Sequence, residues 1–223
     1  MLEKIQLLSS ALPIVFFVIF CKRKAPKELW VIFIYFITSL GFDLFLAISA
    51  WASDHRFLVW NMYGILENIL LSYFFYLIIN QRLIRALILL FSLLYLFFIL
   101  PYLKTGTDQF NSTMSAVGSV IILVLSICYF LNYLKPTSEA VSIFTPQFLI
   151  VIALLLNVSC TLFLDLITNR LTINELAKYW SINSYANILM NLIISSAFIL
   201  FYNQHKPKPT ESNFVDFTSP NDR

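Results

Sequence analysis

Two histidines, three cysteines and four glycines are all that 223 residues hold of those types, and charged side chains make up only 12%. Each shortage closes a class of chemistry. His55 and His205 stand far apart in the chain, whereas a membrane zinc hydrolase needs about three clustered ligands. Cys21, Cys128 and Cys160 are odd in number, widely spaced, and sit in or beside apolar runs. No disulfide framework is expected from them; inert packing is. A Gly-rich phosphate loop and a Ser nucleophile elbow are both missing. All nine lysines lie outside the apolar runs, which leaves none buried for a Schiff base. No metal and no cofactor is expected.

The charged share is about half that of an ordinary soluble domain. Against it stand a hydrophobic fraction of 59%, 22 Phe and a mean hydropathy of +0.80. A soluble fold of this size cannot hide so much apolar surface. The chain therefore reads as an all-α integral membrane protein. Seven apolar segments stand out: Ile5–Cys21, Leu29–Trp51, Phe57–Ile79, Ala86–Leu103, Ser115–Leu134, Gln147–Thr168 and Ile182–Tyr202. Each is long enough to cross roughly 30 Å of hydrocarbon as a helix. The first is followed by Lys22-Arg23-Lys24 and preceded at Cys21 by bulky Val18-Ile19-Phe20. That pattern reads as a retained helix rather than a signal peptide or a lipoprotein leader. Residues 1–202 form the seven-helix transmembrane domain in this reading. Residues 203–223, polar and carrying three prolines, are expected to be a disordered cytoplasmic tail, too short to be an output domain.

Lys and Arg set the orientation. The N-terminus and the loops after the second, fourth and sixth segments carry five: Lys4, Arg56, Lys104, Arg170 and Lys178. The other side carries ten, including Lys22, Arg23, Lys24, Lys27, Arg82 and Arg85. The richer side is cytoplasmic by the positive-inside rule, so the N-terminus is expected outside and the C-terminus inside the cytoplasmic (inner) membrane. Trp30, Trp51, Trp60 and Trp180 lie near segment ends, as an interfacial aromatic belt does. The net charge of +3 follows from these loops and calls for no nucleic-acid partner.

Nine of the twelve acidic residues fall in loops or tails; Asp43, Glu67 and Asp165 do not. A charge at the bilayer centre costs about 2.5–3.5 kcal/mol on insertion scales. Such residues face the bundle interior and mark function. Counted from the segment midpoints, Asp43 lies roughly 4–5 Å and Glu67 roughly 1–2 Å toward the outside, and Asp165 roughly 11 Å, near the interface. Residues four apart share a helix face. Tyr35, Ser39 and Asp43 form one stripe, Tyr63 and Glu67 a second, and Asn157, Thr161 and Asp165 a third. Asn183, Asn187, Asn191 and Ser195 form the fourth. The candidate ligand-binding set is Asp43, Glu67, Asn157, Asp165, Asn187, Asn191, Tyr63, Ser39 and Thr161, around a cavity in the outer half. Glu67 is expected to reach Asn187 or Asn191 across the bundle. The fourth segment, polar only at Ser92 and Tyr95, is expected to face lipid. Gly41 and Gly64 read as close-packing points, and Pro13 and Pro101 as tolerated kinks.

A shift of 120 residues aligns the second and third segments with the sixth and seventh without gaps. It matches nine of 55 positions, among them Pro26/Pro146, Ser39/Ser159 and Trp60/Trp180, where chance gives roughly five. The fourth segment would then link two parallel halves. This three-plus-one-plus-three plan, with Pro146-Gln147 before the sixth segment and Pro26-Lys27 before the second, resembles the sugar facilitators of the SWEET type and their Pro-Gln-loop relatives. The resemblance is architectural, covers about two thirds of the chain, and carries no site residues over.

Two classes of function follow. One is a non-enzymatic protein that binds a small solute, as a transporter or as a receptor-like sensor with a separate cytoplasmic partner. The other is an intramembrane enzyme using Asp43 and Glu67 as an acid–base pair on a lipid or another membrane substrate, since coupled carboxylates can divide that work. The lack of a His base, nucleophile elbow or metal cluster weighs against the second.

Overall fold

The computed structural model describes residues 2–22, 24–49, 55–105, 112–134, 144–168 and 173–206. Expectations for Trp51, for Asp54, for the loop cations Arg23, Lys135 and Arg170, and for the tail beyond Lys206 lie outside them. Within them the chain is all-helical, with α1 at Leu2–Phe16, a π-helical turn at Phe17–Cys21, and α2 at Lys27–Ile48. There follow α3 (Arg56–Ile78), α4 (Arg82–Thr105), α5 (Ser112–Tyr133), α6 (Pro146–Thr168) and α7 (Ile173–His205). Among the described residues five stretches are long and apolar enough to cross a membrane: Lys27–Ile48, Arg82–Ile99, Ser112–Tyr133, Pro146–Ile167 and Ser181–His205. Ile5–Cys21 is apolar but shorter. The fold is that of a membrane-embedded helical protein.

The seven expected segments each find a helix, with shifted ends. α7 begins at Ile173 rather than Ile182 and α1 at Leu2 rather than Ile5, because a helix runs on through polar residues that hydropathy does not mark. α3 has the length of a span, 23 residues, but Asn61, Glu67 and Asn68 dilute its apolar character. These polar side chains turn inward: Asn61 and Asn68 are buried. Pro26 caps α2 and Pro146 opens α6, where a missing N–H costs no helical hydrogen bond. Thr145 caps α6, its hydroxyl oxygen accepting from the Phe148 N–H at 3.2 Å.

The main helix contacts are α1 with α2, α2 with α3, α3 with α5, α5 with α6, α6 with α7 and α7 with α1. They close a six-membered ring. α4 stands outside it, packed on α3 and α5, with Leu83, Leu93, Leu94, Phe97 and Phe98 exposed. This helix has the expected exposed apolar face, and Ile88, Tyr95 and Ile99 on its other side are buried.

The two ends of the ring differ. Where α1, α6 and α7 meet the start of α2 and the end of α3, the core is aromatic: Phe17, Phe36, Phe74, Phe75 and Phe198 are fully buried. Phe17 stacks on Phe33 at 4.3 Å and meets the edge of Phe198 at 5.4 Å. The π turn seats this ring, and the Cys21 thiol donates to the Phe198 carbonyl at 3.5 Å. Buried phenylalanines each contribute about 1.5–3 kcal/mol where the reference is water. At the opposite end the helices carry Ser, Thr, Asn, Asp and Glu, and the interior is hollow.

Candidate functional site

The hollow lies where the odd-numbered helices begin and the even-numbered ones end. It has a volume of about 250 Å³ and is lined by residues of all seven helices. Ser39 and Asp43 come from α2, Tyr63 and Glu67 from α3, and Thr161 and Asp165 from α6. A second, deeper hollow of about 80 Å³ shares Gly64, Glu67, Tyr95, Ser115 and Thr161 with the first and adds Asn68 and Asn157. Seven of the nine candidate residues are thus brought together. The four-residue spacing explains why: each stripe presents one turn after another to the same interior.

Glu67 is the centre of a hydrogen-bonded group. The Tyr35 hydroxyl donates to its Oε1 at 3.0 Å. Tyr63 also hydrogen-bonds Glu67, and it further engages Ser39 and Tyr35. The acid whose charge bears on Glu67 is Asp165; Asp43 bears on Tyr63 instead. Asp43 shares the cavity with Glu67 but is not paired with it.

A depth near the interface leaves Asp165 open to either a solvated helix end or a place in the cavity; it is 3% exposed and lines the hollow. Its carboxylate is hydrogen-bonded with Ser115, and its Oδ2 has no protein partner among the described residues. Ser115 of α5 packs beside it, which depth counting along a single helix does not register.

Asn187 and Asn191 do not line either hollow. Asn191 instead donates through Nδ2 to the Ser9 hydroxyl at 2.8 Å and joins α7 to α1. The expected reach from Glu67 across to Asn191 is replaced by this helix clamp, because Asn191 sits about 12 Å along the helix from the turn that faces the cavity. That turn carries Asn183, whose Oδ1 lies 3.2 Å from the Thr161 hydroxyl. Sequence reasoning placed Asn183 on the stripe but not in the site. Gln6, Ser115 and Tyr95 were missed as well, and so was Asn68. The last had a signal: it directly follows the membrane acid.

The glycines correct a second expectation. A Cβ on Gly41 or Gly64 would meet nothing within 4 Å, so neither is a close-packing point. Gly64 instead leaves both hollows open. The close approach is at Gly118, where a Cβ would lie 3.0 Å from Asn68 Nδ2 and 3.1 Å from the Tyr95 hydroxyl. There Asn68 donates to the Gly118 carbonyl at 3.1 Å.

A larger hollow of about 720 Å³ lies at the other end, between the π turn and the end of α7. Lys22, Lys24 and Lys206 line it beside Phe20 and Tyr202. It holds no acid and shares no residue with the polar site. Comparison with family models, curated proteins and solved structures finds no match for this chain.

Proposed function

We propose that residues 1–202 form a seven-helix domain of the cytoplasmic membrane that binds a small solute from outside, as a transporter or a receptor-like sensor. The observation that carries this reading is the convergence of Ser39, Asp43, Tyr63, Glu67, Thr161 and Asp165 on one hollow. Ionisable side chains at membrane depth are costly and mark binding or translocation sites. α3 spans roughly 35 Å by length, and its polar residues face inward, which supports counting it as a membrane helix. Orientation with the C-terminus inside is supported by the lysines around the end of α7.

Transport is favoured over sensing by the ring. Exchanging α1, α2 and α3 with α5, α6 and α7 returns the same six ring contacts, α4 aside. The bounds of α2 shifted by 120 give 147–168, within one residue of α6. Gln147 Nε2 donates to Glu28 Oε1 at 3.1 Å and joins the Pro-led starts of those two helices. Parallel halves around a central site are a transporter plan. A sensor would need a separate cytoplasmic partner.

Thermal unfolding of the purified protein against a panel of small polar solutes tests the site. At least one solute is expected to raise the midpoint of wild type and leave Asp165→Asn unmoved. A solute that shifts both equally binds elsewhere and removes the support for this cavity.

A further inference from the structure

We infer that the cavity selects a small organic ammonium ion. This deepens the solute-binding reading and rests on it. Asp43, Glu67 and Asp165 line the two hollows, and among the described residues no Lys, Arg or His does. The formal charge these side chains bring is negative only. Low-dielectric walls strengthen and focus such a field.

The unpartnered atoms point the same way and do so independently of the acids' number. Asn68 is 3% exposed, and its Oδ1 has no partner among the described residues. The orientation of this amide is fixed, because its Nδ2 donates to the Gly118 carbonyl. A buried acceptor is therefore left without a donor on a residue that lines the deeper hollow. Asp165 Oδ2 is a second unpartnered acceptor, in the outer one. Buried acceptors without donors carry an unrepaid desolvation cost, and a ligand bearing N–H groups relieves it. An anion or a pure acceptor worsens it.

The chemistry distinguishes an ammonium ion from a metal. Among the described residues no three His, Cys, Asp or Glu side chains converge as metal ligands do. The acids are spread around the walls, and Trp60, Tyr63, Tyr95 and Phe42 lie between them. Aromatic rings suit organic cations. A volume of about 250 Å³ lies just below the range of roughly 300–1,000 Å³ typical of drug-sized ligands, so the ion is small.

Thiol labelling of the full chain in lipid vesicles tests this. Cys21, Cys128 and Cys160 are replaced by Ala, and Thr161→Cys places a reporter on the wall shared by both hollows; Ser39→Cys is the second reporter should the first misfold. Rates are measured with trimethylammonium-ethyl and sulfonatoethyl methanethiosulfonate, each normalised to its rate with free mercaptoethanol. The cationic reagent is expected to react at least about tenfold faster, and the ratio to fall toward one when Asp165→Asn and Glu67→Gln are added. Propylammonium chloride is expected to slow labelling, and sodium propionate to leave it unchanged. A ratio near or below one, or slowing by sodium ions alone, overturns the ammonium assignment while leaving a solute site in place. Failure of both reagents to reach either reporter in folded protein overturns the cavity, and the solute-binding reading with it.

Discussion

Glu67 shows how one side chain holds structure and function together. Its Oε1 accepts from the Tyr35 hydroxyl, and Tyr63 hydrogen-bonds it as well. Gln keeps that acceptor and the side-chain length but not the charge. Glu67→Gln is therefore expected to leave thermal unfolding roughly unchanged while abolishing solute binding or uptake. Glu67→Ala removes the acceptor shared by Tyr35 and Tyr63 and is expected to lose about 1 kcal/mol of stability as well. Paired unfolding and binding measurements separate the two. Wild-type binding by Glu67→Gln would make the acid structural. The interior place of Glu67 was legible in the sequence, since an acid in an apolar segment carries its own cost. Its neighbours were not. Tyr35 lay on a recorded stripe, yet nothing along the chain says that its hydroxyl crosses from α2 to α3. Asp165 is the reverse case: its type was noted, and its burial beside Ser115 of α5 was invisible to counting along α6.

Between elements, the approach of α3 to α5 decides the shape of the inner hollow. Gly118 lets Asn68 reach a backbone carbonyl and lets Tyr95 of α4 fold in over both. Gly118→Ala crowds the Asn68 amide and the Tyr95 hydroxyl and is expected to destabilise by about 1–2 kcal/mol, overpacking exceeding the helix-propensity gain. Gly64→Ala meets no neighbour and is expected to stabilise by about 0.5–1 kcal/mol. Unfolding midpoints of the two variants in the same detergent check the contrast; equal effects would refute it. Periodicity could find the stripes of α2, α3 and α6, because a shared face is a property of one helix. It could not choose among Asn183, Asn187 and Asn191. A stripe that runs several turns passes the cavity at one depth and an adjacent helix at another. Asn183 meets Thr161, and Asn191 meets Ser9.

For the molecule as a whole, the lysines around the end of α7 and the cation-rich loops support a cytoplasmic C-terminus. Green fluorescent protein fused after Arg223 is expected to fluoresce, and alkaline phosphatase at the same point to stay inactive. Strong phosphatase activity would invert the topology and place the polar cavity on the cytoplasmic side. The all-helical character was legible from composition, and the order of segments from hydropathy. The closure of six helices into a ring with α4 outside was foreshadowed only by the near-absence of polar residues in the fourth segment. That weak signal worked because a helix excluded from the interior has no use for hydrogen-bonding side chains, Tyr95 excepted.

The difference between the two ends of the bundle has an electrical consequence. With the polar end facing outside, as proposed, water reaching Asp165 and Glu67 would carry the potential of the outer solution inward. The drop in voltage would then be compressed into the aromatic layer around Phe17, Phe74 and Phe198. A cation settling in the hollow crosses little of the field, so its affinity is expected to be nearly independent of membrane voltage. Passage through the phenylalanine layer would carry almost all the electrical work, about 2.3 kcal/mol per unit charge for each 100 mV. In vesicles with an imposed potassium diffusion potential, voltage would therefore govern the rate of crossing and leave the occupancy of the site almost untouched.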